Sequence, residues 1–84
     1  MKVWAIDLDQ TLVNKGKSIK KNIKKVNKLY EEKDTLVIIY TARNETIRKR
    51  TEEYLRMLGI NYHILVMGKL RADYYVDDRM VKWK

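Results

Sequence analysis

Two runs of this chain, Val3-Trp4-Ala5-Ile6 and Leu36-Val37-Ile38-Ile39, are apolar at every position, and they constrain the fold more than any other feature. Each is long enough for a buried strand and too short for a buried helix. A strand with one wet face alternates apolar and polar residues. A strand that is apolar throughout has the pattern of a parallel strand covered on both sides. Parallel neighbours need a crossover between them, and the intervening segment can supply a helical one. Ile19, Ile23, Val26 and Leu29 or Tyr30 recur at helical spacing and form one apolar stripe. Lys20, Lys21, Lys24, Lys25 and Lys28 fill the opposite face, and Ser18 stands at the N-cap position. Lysines in the first turn oppose the helix dipole.

The unit then repeats. The second strand covers Thr35 to Tyr40, after a turn at Lys33-Asp34. A second helix starts at Asn44 or Thr46, turns Ile47, Tyr54, Leu55 and Leu58 inward, and ends at Gly59, a suitable C′ residue. Tyr62 to Met67 reads as a third strand, Gly68 to Ala72 as a connector, and Asp73 to Val76 as a fourth strand. Between the first strand and the first helix, Leu12 to Lys17 is a short polar loop with Gly16 as its turn residue. The order βαβαββ implies an α/β fold with a parallel sheet.

Composition narrows the class. A chain of 84 residues with 45% hydrophobic content is expected to form a single domain over 1–84 with a small core. It contains no cysteine, which excludes disulfides and thiolate metal sites. No apolar run approaches a membrane span and the start lacks a signal-peptide pattern, so a soluble cytoplasmic protein is expected. A formal charge of +8 favours anionic partners such as phosphate esters, nucleic acid or an acidic surface, although it also serves solubility.

In open parallel sheets, ligands bind beyond the carboxyl ends of the strands. The polar residues of this chain collect there. The first strand ends in Asp7 and Asp9, the second in Thr41, and the fourth in Asp77 and Asp78, while Lys69 follows the third. Positions i and i+2 of an extended backbone share a side, so Asp7 and Asp9 leave the strand together. Two close carboxylates resist ionising side by side unless a cation is near, which points to a bound metal or to divided roles. Taken singly, each of these residues has an ordinary explanation as a turn former, a cap or a solvated charge.

Taken together they resemble the haloacid dehalogenase-like superfamily of phosphotransferases. Asp7-Leu8-Asp9-Gln10-Thr11 matches its first motif, Asp-x-Asp-x-Thr. Thr41 after an apolar strand matches the second, Lys69 the third, and Asp77-Asp78 after Tyr75-Val76 the acidic fourth. The second acid, Asp9, resembles the phosphatase branch of that superfamily. One departure is Gln10, where many relatives have glycine, whose backbone reaches angles that glutamine resists.

The resemblance implies a Rossmann-like parallel sheet of about four strands in the order 4-1-2-3. It also implies a phosphatase working through an aspartyl phosphate. Asp7 would be the nucleophile, and Asp9 the acid that protonates the leaving oxygen and then the base for water. Magnesium (Mg2+) would be held by the Asp7 carboxylate, the Asp9 backbone carbonyl and one or both of Asp77 and Asp78. Thr41 would hydrogen-bond the transferring phosphoryl group and Lys69 would balance its charge. Thr11, Ala42 and Arg43 are assigned to the substrate-binding loops, Thr11 by orienting the first of them, and Arg43 reads equally well as a solvated charge. Arg79 is expected to pair with Asp77 or Asp78, and His63 to have a packing or surface role.

Neither gap where relatives insert a cap domain, Leu12 to Lys17 or Met67-Gly68, can hold one, so a capless member is expected. Such a site admits bulky or polymeric substrates, or borrows a neighbouring subunit to exclude water. Two alternatives accompany the phosphomonoesterase reading: a phosphatase for nucleic-acid ends, and a non-catalytic nucleic-acid-binding or interaction module on the same fold. A homo-oligomer is also expected. Two right-handed crossovers running in one direction put both helices on one side of the sheet and leave the other face uncovered.

Overall fold

The structure is a computed structural model and describes residues 1–68. Five strands and two helices follow in order: β1 (Lys2–Asp7), β2 (Val13–Asn14), β3 (Lys17–Ser18), α1 (Lys20–Glu31), β4 (Thr35–Thr41), α2 (Arg48–Met57) and β5 (Ile64–Met67). A 3-10 turn, Glu45–Ile47, leads into α2. The sheet order is β1-β4-β5, and both pairings are parallel. This is a small Rossmann-like α/β core whose strands match the first three expected from the sequence. The fourth expected strand lies outside the described residues.

Both crossover helices pack on one side of the sheet. Ile6 of β1, Val37 and Ile39 of β4, and Leu65 and Met67 of β5 are buried in one cluster with Ile23 and Val26 of α1 and Leu55 of α2. Trp4, Leu29, Ile47, Tyr54 and Leu58 close its edges. The alternate strand positions face the other way, where Val3 is 58% exposed and Val66 is 44% exposed. Among the described residues, strands apolar on both faces are therefore covered by helix on one face only, as two same-direction right-handed crossovers require. Among the described residues, no helix is long and apolar enough to cross a membrane.

The segment read as a polar loop after β1 is more ordered than its composition implies. β2 and β3 form a miniature antiparallel hairpin with Val13 opposite Ser18 and Asn14 opposite Lys17. Its two turn residues, Lys15 and Gly16, both have positive φ (51° and 77°), the requirement of a type I′ turn. Ser18 is consequently not the N-cap of α1. It is occupied in the hairpin, and Ile19 takes the cap position without a side-chain cap. The N-terminus of α1 is instead fastened through its neighbours, with the Ile19 N–H donating to the Leu12 carbonyl at 2.7 Å.

α2 begins at Arg48, later than expected, because the segment from Asn44 first forms the 3-10 turn, which Asn44 caps by accepting from the Thr46 N–H at 2.9 Å. After the helix, Gly59 takes φ +73°. Asn27 of α1 ties down this corner by donating to the Gly59 carbonyl (2.8 Å) and accepting from the Asn61 N–H (2.8 Å). His63 fills the structural role expected of it. Its Nδ1 accepts from the Val37 N–H at 2.9 Å, and its ring stacks on Tyr30 with centroids 4.5 Å apart. β5 starts at Ile64, two residues later than the apolar pattern indicates.

Leu55 is fully buried between α2 and the sheet, whereas Met57 near the end of the same helix is 79% exposed. Leu55→Ala is expected to cost about 2–5 kcal/mol through lost burial and a residual cavity. Met57→Ala should stay within about 0.5 kcal/mol of the parent. Urea denaturation of the two variants checks both values.

Candidate active site

The site grows from the end of the β1–β4 ladder. Asp7 is the last residue of β1, opposite Tyr40, and the Leu8 N–H donates to the Tyr40 carbonyl at 2.9 Å. The chain then curls around Leu8. The N–H groups of Leu12 and Val13 both donate to the Leu8 carbonyl (3.0 and 3.1 Å), and the Gln10 N–H donates to the Val13 carbonyl at 2.6 Å. Leu8, Leu12 and Val13 are all buried, so the loop is anchored by its own apolar side chains. Asp7 and Asp9 are half-buried on either side of Leu8, away from the core that receives it.

Gln10 has φ +69°, the left-handed conformation that glycine adopts without strain. For glutamine it costs of the order of 1 kcal/mol. The departure from glycine in the first motif thus leaves the loop in the glycine-like conformation.

Asp9 is held from two directions by the loop after β4. Thr41, 1% exposed, donates from Oγ1 to Asp9 Oδ2 at 2.8 Å. Arg43 donates from Nη2 to Asp9 Oδ1 at 2.9 Å, and its backbone N–H donates to Thr41 Oγ1 at 3.2 Å. The Arg43 guanidinium also lies 5.5 Å from the centroid of the Tyr54 ring, within cation–π range. The Gly68 N–H donates to the Arg43 carbonyl at 2.9 Å, which ties this loop to the end of β5. Burial pushes the Asp9 pKa up. The hydrogen bonds from Arg43 and Thr41, with the charge of Arg43, outweigh that effect and hold it below the ordinary carboxylate value.

Of the residues singled out in the sequence, Asp7, Asp9, Thr41 and Arg43 come to one rim. Ala42 is exposed beside them. Thr11 sits on the motif loop, where its carbonyl accepts from Asn22 Nδ2 at 2.7 Å, a bond to the first turn of α1. Lys69, Asp77, Asp78 and Arg79 lie outside the described residues. Among the described residues, no three acidic or histidine side chains gather to hold a metal. Of the metal donors that the resemblance implies, the Asp7 carboxylate and the Asp9 carbonyl belong to described residues, and hard oxygens of that type are what magnesium takes.

Two features do not follow from the sequence pattern. Arg43 pairs with Asp9 rather than standing free for substrate or solvent, and an arginine two residues beyond the motif threonine is the visible signal of that pair. Asn22 carried a weaker one, as a polar residue flanking the apolar stripe of α1.

The acidic pair of Asp7 and Asp9 stands at the carboxyl end of the first strand of an open parallel sheet, where ligands of α/β domains bind. A family model described as haloacid dehalogenase-like hydrolase matches residues 4–80, and the chain belongs to that family. No curated protein and no solved structure matches it.

The depressed Asp9 pKa sets a pH dependence. Its contribution to stability is complete above the ordinary carboxylate pKa of about 4 and is lost as pH falls through the lower folded value. Asp9→Asn should therefore melt below the parent near neutral pH, with the gap closing under acid conditions below about pH 4. Thermal melts of both proteins across that range check the sign.

Proposed function

We propose that this hydrolase is a magnesium-dependent phosphomonoesterase that works through an aspartyl phosphate on Asp7. The observation that carries the reading is the arrangement of Asp9. It stands two residues beyond Asp7 on one rim and is gripped on both oxygens by Thr41 and Arg43. Asp9, held on both oxygens, is placed to carry a proton, which leaves Asp7 as the nucleophile of the pair.

In the first step an Asp7 oxygen attacks phosphorus, the bond from phosphorus to the ester oxygen breaks, and Asp9 gives its proton to that oxygen. In the second, water attacks the phosphorus of the aspartyl phosphate, its proton passes to Asp9, and the bond from phosphorus to Asp7 breaks to release phosphate. Asp9 is held ionised in the resting site, the state needed for the second step. A phosphate dianion competes for Arg43 and so favours protonation of Asp9 for the first. Magnesium, when bound by Asp7, the Asp9 carbonyl and Asp77 or Asp78, supplies the positive charge that lets a carboxylate approach the dianion. Lys69 adds to it, and Thr41 keeps the proton carrier in place.

Activity is expected against small phosphate monoesters in a screen with and without magnesium. Asp7→Asn should abolish turnover. Asp9→Asn should lower it by about 10²–10⁴-fold, the usual worth of positioned proton transfer. Wild-type rates in a purified Asp7→Asn protein would defeat the mechanism.

The same reading includes association of copies through the sheet face that carries Val3, Ile64 and Val66, all exposed. Apolar patches of this kind mark interfaces more often than bare surface. Sedimentation at micromolar concentration should give a mass above that of one chain, and Val3→Lys should lower it. A concentration-independent monomer would remove this part of the reading.

A further inference from the structure

The two helices treat their charges in opposite ways. On α2, Arg48 is ion-paired to Glu45 and Glu52 and donates to the Leu65 carbonyl at 3.0 Å. Arg56 lies 3.8 Å from Glu53. On α1, Lys20, Lys21, Lys24 and Lys28 make no ion pair among the described residues. The helix has a single acid, Glu31, at its last position. Lys20, Lys24 and Lys28 stand at i, i+4 spacing, where like charges repel, and Lys20 and Lys21 occupy the positive end of the helix dipole. Each such placement costs helix stability that a bound polyanion would recover.

The row is joined to the site. Asn22, in the first turn of α1, donates to the Thr11 carbonyl of the motif loop, and Ile19 donates to Leu12. The hairpin between that loop and the helix presents Lys15 and Lys17, both exposed. Cationic side chains therefore begin at the motif loop and continue along the helix, with Lys20, Lys24 and Lys28 separated by about 6 Å of rise each. Ile23 and Val26 of α1 are buried in the core and so are not available to a membrane.

We propose that Lys15, Lys17, Lys20, Lys21, Lys24 and Lys28 form a track for a single-stranded nucleic acid whose terminal phosphomonoester enters the site at Asp7. One molecule, a chain of phosphate diesters ending in a monoester, satisfies both the track and the site. The second half of the proposal rests on the phosphomonoesterase reading. The track itself rests on the charge distribution.

The binding test uses the full chain and a fluorescent 12-nucleotide oligothymidylate without a terminal phosphate, so that it reads the track whether or not the site hydrolyses anything. Affinity should fall with salt by a log–log slope of about −0.7 for each phosphate contacted, near −3 for four. Changing Lys20, Lys21, Lys24 and Lys28 to glutamine should remove most of the slope. The control variant Lys49→Gln/Arg50→Gln, which removes exposed charges from α2, should leave most of it. An equal loss in both variants would mean diffuse attraction to a basic protein and would overturn the track. So would an absence of binding at low salt, or tighter binding to phosphatidylserine vesicles than to the oligonucleotide.

In turnover, the four-lysine variant should lose at least tenfold in kcat/KM for a terminally phosphorylated oligonucleotide relative to an aryl phosphate. An equal loss on both substrates would overturn the substrate assignment. Salt-dependent binding without hydrolysis of either substrate would defeat the phosphomonoesterase reading and the terminal-phosphate assignment while supporting the track. Hydrolysis of the aryl phosphate without oligonucleotide binding would do the reverse.

Discussion

The parallel pairing of β1 with β4 is the constraint on which the candidate site depends. Its register sets Asp7 opposite Tyr40, and one further ladder bond, from Leu8 to Tyr40, carries the alignment past the end of the strand. That alignment brings Thr41 within hydrogen-bonding distance of Asp9. A slip of one residue would turn every side chain of β4 to the opposite face. Val37 and Ile39 would leave the core, and Thr41 would point away from the acid it holds. The burial that fixes the register thus also builds the site.

Thr41 shows how closely stability and chemistry are joined here. A buried hydroxyl without a partner costs roughly 1–3 kcal/mol. Its partner is the Asp9 carboxylate, so the bond that makes Thr41 tolerable inside the fold also orients the second acid. The motif loop is supported in the same manner from the other side. Leu8, Leu12 and Val13 are buried beneath it, and Asn22 fastens it to α1. Gln10 remains left-handed because the bonds on both sides of it leave no alternative path. A loop anchored by apolar side chains and backbone bonds can hold two carboxylates at fixed separation without a larger domain around it.

The helices divide the remaining work. α2 braces the sheet with paired charges, and Arg48 reaches across to the backbone of β5. α1 contributes its apolar stripe to the core and leaves Lys20, Lys21, Lys24 and Lys28 to solvent at some cost in helix stability. This asymmetry lies within a fold whose two crossovers are otherwise alike, so its origin is not architectural.

The sequence by itself determined the parallel sheet with its helical crossovers and the place of Asp7, Asp9 and Thr41 on one rim. Unbroken apolar runs require covered parallel strands, the intervening stripes have helical period, and the polar residues at strand ends are brought together by topology alone. Arg43 lies beyond the strand end, and its place on that rim follows from the tertiary structure. What the sequence does not carry is which polar groups choose one another. The hairpin at residues 13–18 displaced Ser18 from its capping role because pairing with Val13 competes for the same residue, and a local capping rule cannot see that competition. The Arg43–Asp9 pair joins residues 34 positions apart in the chain, and only the β1–β4 register decides that they meet. Short-range pattern is set by the chain's own stereochemistry. Partner choice among polar side chains is set by distances that exist only after the core has closed.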